Sequence, residues 1–450
     1  MKRIRFTTTQ IILLSFLLVI LIGSFLLALP ISSANGIAVP YIDALFTAAT
    51  STCVTGLVTL PTYSTWSVFG QIVILILIQV GGLGVITVMT GWMLLLNRKL
   101  GIGDRLLIQD AFNLNTMSGL VKFVKNVLFG TLIIEGSGAL LYMLVFIPEF
   151  GSKGIWISVF NSVSAFCNAG LDIIAENSLC HYATNPLINI VTSALIILGG
   201  LGYIVWWDVL RVVKSRSPKN RKVFRHLTLH TKTAITVTAG LILTGAILIF
   251  IFEYENPLTI GEMNLFDKMQ VSFFQSVTTR TAGFASVPQE NLTNASAAVS
   301  VILMLIGGSP VGTAGGIKTV TLAVLICSAF ATIRNKNSAT LFGRRISDDS
   351  VKKAVAVVVM FLVVCISSTV LILATNSAPA FDVVYETVSA TATVGLSRNF
   401  TATLNAFGKF IIIVTMYFGR VGPISLAVAL GKKSESQNVI SEPTEDISIG

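Results

Sequence analysis

The residues best suited to chemistry in this sequence form four similar tetrads, each ending in glycine. They are Cys53-Val54-Thr55-Gly56, Cys167-Asn168-Ala169-Gly170, Arg280-Thr281-Ala282-Gly283 and Ala392-Thr393-Val394-Gly395. The glycines lie 114, 113 and 112 residues apart, so the tetrads mark an internal repeat. Their side chains differ too much to form a matched ligand shell. Backbone carbonyls can form one, because glycine allows a positive φ that lets successive oxygens face one way.

Four such tetrads around one axis predict a filter for a monovalent cation. Rings of carbonyl oxygens can replace the water around an ion, and a short helix before each tetrad would direct its partly negative C-terminal end at the axis. None of the sixteen residues is Asp or Glu, which disfavours a divalent-cation site. We therefore predict that all four tetrads bind the transported ion through their backbone.

A second unusual stretch interrupts an apolar run in the third repeat and reads GGSPVGTAGGIKT, residues 307–319. Its candidate functional residues are Gly307, Gly308, Ser309, Pro310, Val311, Gly312, Thr313, Ala314, Gly315, Gly316 and Lys318. Five glycines and a proline cannot continue a helix at mid-membrane, so we predict an unwound loop in a water-filled path below the filter. A phosphate-binding loop is excluded because Ile317 separates Gly316 from Lys318.

Three charged residues near these segments need partners inside a membrane. Arg420 lies in the matching glycine cluster of the fourth repeat, and the freed carbonyls of loop 307–319 are its expected acceptors. Arg280 is expected to be an outer structural anchor paired with Glu386 or Asp382, with direct tuning of ion entry as the alternative. For Glu135, a hydrogen-bonded packing role is favoured over a proton relay, because its span has no acidic or histidine companion.

Composition places these motifs in a membrane protein. Of 450 residues, 53% are hydrophobic and 12% are charged. The net charge of +10 is concentrated at the N-terminus, in the loops between repeats and in the tail, which predicts that both termini are cytoplasmic. The basic stretches are interpreted as topology determinants and lipid-headgroup contacts, not as nucleic-acid sites. Five cysteines without a CxxC motif do not predict a structural zinc site.

Each repeat has the same predicted order: a long span, a short re-entrant segment and a second long span. The predicted segments are 11–29, 41–53 and 69–96; 127–147, 156–167 and 187–210; 234–252, 266–279 and 297–330; and 354–374, 381–391 and 407–430. The repeats cover residues 1–105, 106–216, 217–340 and 341–431, followed by a cytoplasmic tail, 432–450. We therefore predict an all-α integral membrane protein in which eight spans and four pore helices surround one pore. Glycine clusters 81–84 and 199–202 are interpreted as sites of close helix packing.

The motifs resemble a known family over nearly the whole chain. TSTCVTGL, FCNAGL, TTRTAGF and TATVGL are similar to the four filter segments of the Trk/Ktr/HKT superfamily of potassium transporters, and GGSPVGTAGGIKT and FGRVGP resemble its gate. Eight spans resemble the Ktr ion-conducting subunit, of KtrB or KtrD type, more than the longer TrkH type. In plant HKT proteins a serine at the first filter glycine goes with sodium transport, so Gly56 favours potassium. Cys53 departs from the threonine expected there, which a carbonyl ligand tolerates.

The resemblance implies potassium uptake across a bacterial plasma membrane by a homodimer with one pore per subunit. It implies regulation by a cytosolic ring of nucleotide-binding RCK/KTN-type subunits, the KtrA or KtrC type. It also implies that loop 307–319 is the gate, with Arg420 as its latch and Lys318 as its cytoplasmic anchor. Potassium is the expected substrate and sodium a candidate activator, and no cofactor is expected to be bound by this chain.

Two other functional classes were weighed. A sodium- or proton-coupled secondary transporter with alternating access is the alternative, but such folds usually use inverted repeats, and these repeats are parallel. A membrane enzyme is disfavoured, because the sequence has no HExxH motif, no paired carboxylates and no Ser/His/Asp constellation at membrane depth.

Overall fold

The computed structural model describes residues 7–96, 101–111, 119–175, 177–215, 223–336 and 338–422. The predicted tail, 432–450, and the end of the fourth repeat lie outside the described residues. The described chain is almost entirely helical, which confirms the predicted fold class at this level. One two-residue antiparallel ladder, β1 (Thr340–Leu341) with β2 (Arg344–Arg345), lies at the junction of the third and fourth repeats.

The first two repeats share an order of long helix, short helix, filter segment and broken helix. In the first repeat these are α1 (Thr8–Leu27), α2 (Tyr41–Cys53), the one-turn α3 (Thr62–Thr65), α4 (Val68–Leu83) and α5 (Val85–Leu95), followed by α6 (Ile102–Ala111). In the second they are α7 (Leu120–Phe150), α8 (Lys153–Cys167), α9 (Pro186–Leu201) and α10 (Tyr203–Lys214).

The last two repeats follow the same plan with different second spans. The third contains α11 (Val223–His226), α12 (Leu229–Glu253), α13 (Leu265–Thr278), α14 (Asn294–Leu305) and α15 (Thr319–Ile333), and the fourth contains α16 (Asp348–Thr375), α17 (Ala380–Ala392) and α18 (Ala406–Val421). The chain between α14 and α15 is not helical, as predicted for loop 307–319.

Four of the described helices are long and apolar enough to cross a membrane: α1, α7, α12 and α16. Each is the first long helix of its repeat. The count rises to six when α4 with α5, and α9 with α10, are each taken as one bent span. Large apolar side chains such as Phe25, Phe129 and Leu140 are well exposed on these helices, as expected for a surface that faces lipid.

The prediction that residues 69–96 and 187–210 form continuous spans was wrong. The first breaks at Gly84, where the chain bends by 100°, and the second at Gly202, where it bends by 94°. Both glycines have a positive φ, +85° and +87°, which ends a right-handed helix without steric strain. The glycine clusters therefore do more than allow close packing, because they let both spans turn sharply below the filter.

The short helices α2, α8, α13 and α17 occupy the interior. Phe46, Phe160 and Tyr385, each ten residues before a filter glycine, are fully buried. In the third copy Phe273 is 38% exposed and its neighbour Phe274 is buried in its place. Each short helix is surrounded by the longer helices of its own and adjacent repeats, which fixes the position of the filter segment at its C-terminal end.

Candidate functional site: four filter segments above a glycine-rich loop

The second residue of each filter tetrad has the same unusual backbone conformation. This residue, two positions before the filter glycine, is left-handed in all four copies, although none of the four is itself glycine. These residues are Val54 (φ 56°), Asn168 (φ 60°), Thr281 (φ 63°) and Thr393 (φ 53°). A left-handed conformation is costly for a residue with a Cβ, so its recurrence at one position in four copies indicates a structural requirement.

Hydroxyl groups of the short helices hold the segments in place. Thr50 accepts the backbone N–H of Thr55 at its carbonyl (2.9 Å) and the N–H of Gly56 at its side-chain oxygen (3.0 Å). Ser389 repeats this arrangement with Val394 and Gly395. At Ser164 the carbonyl accepts from Ala169 N–H, but the hydroxyl accepts from Leu171 N–H, one residue after the glycine. In these bonds the N–H groups of each segment donate to the short helix of the same repeat. The hydroxyl six residues before the glycine was a signal in the sequence that our prediction missed.

The four filter segments form a closed ring in chain order. A Cβ built on each filter glycine would strike the carbonyl oxygen of the residue before the next glycine around the ring. The distances are 2.6 Å from Gly56 to Ala169, 2.5 Å from Gly170 to Ala282, 2.5 Å from Gly283 to Val394 and 2.2 Å from Gly395 to Thr55. Glycine is therefore required at all four positions, because a larger residue would displace a carbonyl oxygen of the neighbouring segment.

On the side away from loop 307–319, the ring opens into a cavity of about 170 Å³. All four filter glycines line it, together with Asp172 and Glu290. Burial raises the pKa of the Asp172 carboxyl to about 6, although a hydrogen bond from Ser178 opposes the shift. The cavity thus presents acidic groups to an ion that approaches the ring.

Loop 307–319 lies below the ring and is docked on the break between α9 and α10. The N–H groups of Ser309 and Thr313 donate to the carbonyls of Gly200 (2.8 Å) and Gly199 (3.2 Å), and Val311 accepts from Tyr203 N–H at 3.1 Å. The loop itself is closed at its base, where Gly307 N–H donates to the Ile317 carbonyl at 3.0 Å and Ile317 N–H to that of Leu305 at 3.1 Å. The loop therefore has a defined structure attached to the second repeat.

Arg420 connects this loop to the first repeat. Its guanidinium donates to the carbonyl of Thr313 and to the carbonyls of Gly81 and Gly82, the latter at 3.2 Å. One of these three acceptors belongs to the loop, as the sequence predicted. The other two are the last-turn carbonyls of α4, which were missed because that glycine cluster was interpreted as a packing site only.

Lys318 shares a cavity of about 240 Å³ with Arg420 at the lower side of the loop. Its ammonium donates to the Ala314 carbonyl at 2.6 Å and lies 3.5 Å from that of Gly315. Both acceptors are in the loop that Lys318 ends. The side chain therefore closes the loop on itself, whereas Arg420 ties it to another repeat.

The predicted pairing of Arg280 with Glu386 or Asp382 was wrong. Arg280 donates instead to the carbonyls of Gly307 (2.9 Å) and Thr238 (3.3 Å). Glu386 accepts from Ser397 and Thr401, and Asp382 pairs with Arg398 at 2.8 Å. The physical reason is position along the pore. Arg280 stands where the short helix ends, beside the start of loop 307–319, while the two acids bond to residues that follow the filter glycine.

Glu135 lies in α7 behind the second filter segment. It accepts a hydrogen bond from the Gln79 amide of α4 at 3.2 Å, and the thiol of Cys167 lies 3.8 Å from its other carboxyl oxygen. Its backbone carbonyl accepts from Ser162 of α8 at 2.6 Å. These contacts join the first and second repeats and agree with a hydrogen-bonded packing role.

Comparisons with known proteins show which family the chain resembles along its length. A family model described as TrkH, cation transport protein, matches residues 3–442. The chain is 39% identical to "Ktr system potassium uptake protein B" of Bacillus subtilis over 97% of this chain and 95% of that protein. It is 37% identical to "Potassium/sodium uptake protein NtpJ" of Enterococcus hirae over 100% and 98%.

A solved structure shares the fold. The potassium transporter TrkH from Vibrio parahaemolyticus superposes with a TM-score of 0.76, covering 96% of this chain and 86% of that one, at 15% identity. The similarity of fold at such low identity extends from the first repeat to the last. With the family model matching almost every residue, the chain belongs to the TrkH family of cation transport proteins.

Proposed function

We propose that this chain is the ion-conducting membrane subunit of a potassium-uptake system in a bacterial plasma membrane. The closed ring of four glycine-ended segments is the observation that carries the proposal. It brings the carbonyls of Thr55, Ala169, Ala282 and Val394 together around one axis. The name of the Bacillus subtilis relative, a potassium uptake protein, supports potassium as the ion, and that of the Enterococcus hirae relative names both potassium and sodium.

The proposed architecture has eight membrane crossings and four re-entrant pore helices. Four crossings are α1, α7, α12 and α16, and the other four are α4–α5, α9–α10, α14–α15 and α18. The short helices α2, α8, α13 and α17 enter and leave from one side. With lipid around the long helices and the basic loops inside, both termini are cytoplasmic.

Ion selection in this pore uses the backbone. A cation that enters the cavity beside Asp172 loses water and gains carbonyl oxygens from four filter segments of similar geometry. The ring contains no carboxylate, so it offers a field suited to one positive charge. The close contact between each glycine and the next carbonyl keeps the oxygens at fixed positions.

Gating uses loop 307–319. The loop is docked below the ring by hydrogen bonds to Gly199, Gly200 and Tyr203, and Arg420 bonds it to α4. The proposed closed state is this docked state, in which Arg420 is the latch and Lys318 anchors the cytoplasmic end of the loop. Opening removes the loop from the path and breaks its bonds to Arg420, α9 and α10.

Assembly and regulation follow the Ktr pattern in this proposal. Two copies form a homodimer with a pore in each, and a cytosolic ring of nucleotide-binding KtrA- or KtrC-type subunits sets the position of the loop. Sodium is a candidate activator. The description of the Bacillus subtilis relative as part of a Ktr system supports a complex of more than one component.

Growth of a bacterium that lacks potassium uptake tests the function. The full chain, expressed with and without a regulatory subunit, is expected to restore growth at low potassium. Its matched control is Gly283→Val, which places a branched side chain against the Val394 carbonyl at a position with φ +81° and should abolish growth. Failure of the wild-type chain to restore growth, although it reaches the membrane beside its regulatory subunit, would contradict the proposal.

A further inference from the structure

Thr313, in the middle of the loop, is bonded to the filter as well as to the gate machinery. Its N–H donates to the Gly199 carbonyl at 3.2 Å, and its carbonyl accepts from Arg420. Its hydroxyl lies 2.9 Å from the side-chain oxygen of Asn168, to which it donates, and 3.2 Å from the carbonyl of Phe166. One residue therefore joins the loop, α9, the latch and the second filter segment.

Asn168 is the second residue of its filter tetrad, and its side chain depends on this contact. It is left-handed and completely buried. Its amide nitrogen has no hydrogen-bond partner among the described residues, while its amide oxygen is bonded to Thr313. Loss of the Thr313 hydroxyl would leave both polar atoms of a buried amide unpaired, which costs more than an ordinary hydrogen bond. The side chain would then have to turn, and the adjoining backbone with it.

The loop also packs directly against two other filter segments. A Cβ on Gly315 would lie 2.1 Å from the hydroxyl of Thr393, and one on Gly307 would lie 3.1 Å from the methyl group of Thr281. Thr393 and Thr281 occupy the same position in their segments as Asn168. The glycines of the loop thus allow it to lie against the innermost residues of three of the four segments.

We propose that the gate loop is also the inner brace of the filter, and that the Thr313–Asn168 hydrogen bond couples the position of the gate to ion discrimination. In the docked state the loop holds the second segment in the geometry that prefers potassium. When the loop leaves, Asn168 loses its partner, the innermost carbonyl positions relax, and sodium competes better. This inference rests on the proposed function, because it concerns the regulation of the same filter.

A loop that only blocks the pore would give a different result. Its removal or loosening would change the rate of ion flow and leave the ratio of potassium to sodium binding unaltered. If the loop is a brace, the rate of ion flow and the potassium-to-sodium ratio should change together, and only when the substituted residue contacts a filter segment. The ratio is therefore the measurement that separates the two roles.

Thr313→Val is the principal variant, because it removes the hydroxyl and retains a β-branched side chain of similar shape. The N–H bond to Gly199 and the carbonyl acceptor for Arg420 remain. We expect faster potassium flux into liposomes and a fall of about fivefold to tenfold in the potassium preference over sodium, which corresponds to the loss of one buried hydrogen bond. The preference is measured by competitive binding of the two ions to the purified full chain with titration calorimetry. Thr313→Ser, which keeps the hydroxyl, should retain the wild-type ratio.

Ser309→Ala is the matched control within the same loop. The Ser309 hydroxyl lies 2.9 Å from that of Thr319, and among the described residues this hydroxyl pair forms no hydrogen bond to a filter segment. We expect its removal to raise flux without changing the ion ratio. Asn168→Gly removes the other partner of the Thr313–Asn168 hydrogen bond. Glycine adopts the left-handed conformation without strain, so the backbone at this position can be retained. This variant should lower the ratio as Thr313→Val does, and the double variant should add little to either single change.

The inference is overturned if Thr313→Val and Asn168→Gly leave the ratio at its wild-type value, or if Ser309→Ala lowers it equally. If Thr313→Val does not fold, the Asn168→Gly and Ser309→Ala variants decide the question in the same way. A wild-type chain that shows no preference for potassium would instead contradict the proposed function, so the two failures are distinguishable.

Discussion

Gly395 in the fourth filter segment lies directly against Thr55 in the first, so that a Cβ on Gly395 would be 2.2 Å from the Thr55 carbonyl oxygen. This contact closes the ring between the two ends of the chain. It is supported from outside the ring by an ion pair between Lys409 of α18 and Asp43 of α2, whose charged atoms are 2.6 Å apart. The geometry of the filter therefore depends on docking of the last repeat against the first.

The contact between Gly56 and the next segment predicts the effect of a serine at this position. Gly56 has φ +97°, and an added Cβ would lie 2.6 Å from the Ala169 carbonyl oxygen. Gly56→Ser should therefore displace that oxygen and reduce the preference for potassium over sodium by about tenfold, the equivalent of about 1.4 kcal/mol. Competitive uptake of the two ions in cells measures the change.

Gly36→Ser is the control for Gly56→Ser. Gly36 also has a positive φ, +67°, but no atom lies within 4 Å of its added Cβ. This variant carries a similar backbone strain without touching a carbonyl of the ring, and its ion preference should equal that of the wild type. An unchanged preference in Gly56→Ser, at normal membrane levels, would show that Gly56 is not part of the filter.

The Lys409–Asp43 ion pair predicts a large effect on stability. The side chains are only 15% and 8% exposed, so removal of one partner leaves an uncompensated, partly buried charge. Lys409→Met should lower the free energy of unfolding by about 3–5 kcal/mol. Thermal unfolding of the purified protein in detergent measures the difference.

Lys353 and Asp349 provide the comparison, since they form a pair at 2.7 Å with side chains 70% and 72% exposed. Lys353→Met should cost about 0–1 kcal/mol, because water screens the charges and solvates the partner that remains. Equal losses in the two variants would mean that the Lys409–Asp43 pair does not hold the first and last repeats together.

The local parts of this fold could be read from the sequence, since they depend on residues close together in the chain. The predicted segment 41–53 coincides with α2, and the interruption at 307–319 separates α14 from α15. In both cases a change of residue type marks the boundary. Apolar and small residues give way to glycine and proline, whose backbone preferences act locally.

Features set by distant residues were not predictable in this way. Glycines within an apolar run suit close packing and helix breaks equally well. At Gly202 the Pro310 carbonyl of the distant loop would lie 2.5 Å from an added Cβ, so the need for glycine there is set by a residue far along the chain. Arg280 was predicted to have a carboxylate partner because a positive charge inside a membrane protein is often paired with a negative one. Its actual acceptors are the backbone carbonyls of Gly307 and Thr238. Every residue has a backbone carbonyl, so the residue types give no sign of such a contact.

Deletion of residues 311–315 should raise maximal potassium uptake and reduce its dependence on the regulatory subunit. The deletion removes the Thr313 N–H that donates to Gly199 and the Val311 and Thr313 carbonyls that accept from Tyr203 and Arg420. Only the Ser309 N–H bond to Gly200 remains of the bonds that dock the loop, so the closed state is weakened. Uptake velocity at saturating potassium, with and without the partner, is the measurement. A deletion variant that reaches the membrane and transports no faster would refute the assignment of this loop as the gate.

Arg420→Gln tests the latch without removing the loop. Arg420 bonds the Thr313 carbonyl to the Gly81 and Gly82 carbonyls, and these bonds exist together only while the loop is docked. A hydrogen bond to a charged group contributes about 1.5–3 kcal/mol, so the closed population should fall by about tenfold or more. Arg420→Lys should be intermediate, because it keeps the charge and loses the planar fork that reaches several acceptors. Uptake velocity without the regulatory subunit measures the open fraction.

Lys318→Gln tests whether the effect of Arg420→Gln comes from the lost hydrogen bonds or from the lost positive charge. It removes a positive charge from the same cavity, but the acceptors of Lys318 are the carbonyls of Ala314 and Gly315, within the loop itself. Its effect on the closed population should therefore be smaller than that of Arg420→Gln. If the two variants open the pore equally, charge alone keeps cations out of the path. If Arg420→Gln abolishes transport in a folded protein and Arg420→Lys restores it, Arg420 is required for conduction, and the latch is the wrong description of the contact between α18 and the loop.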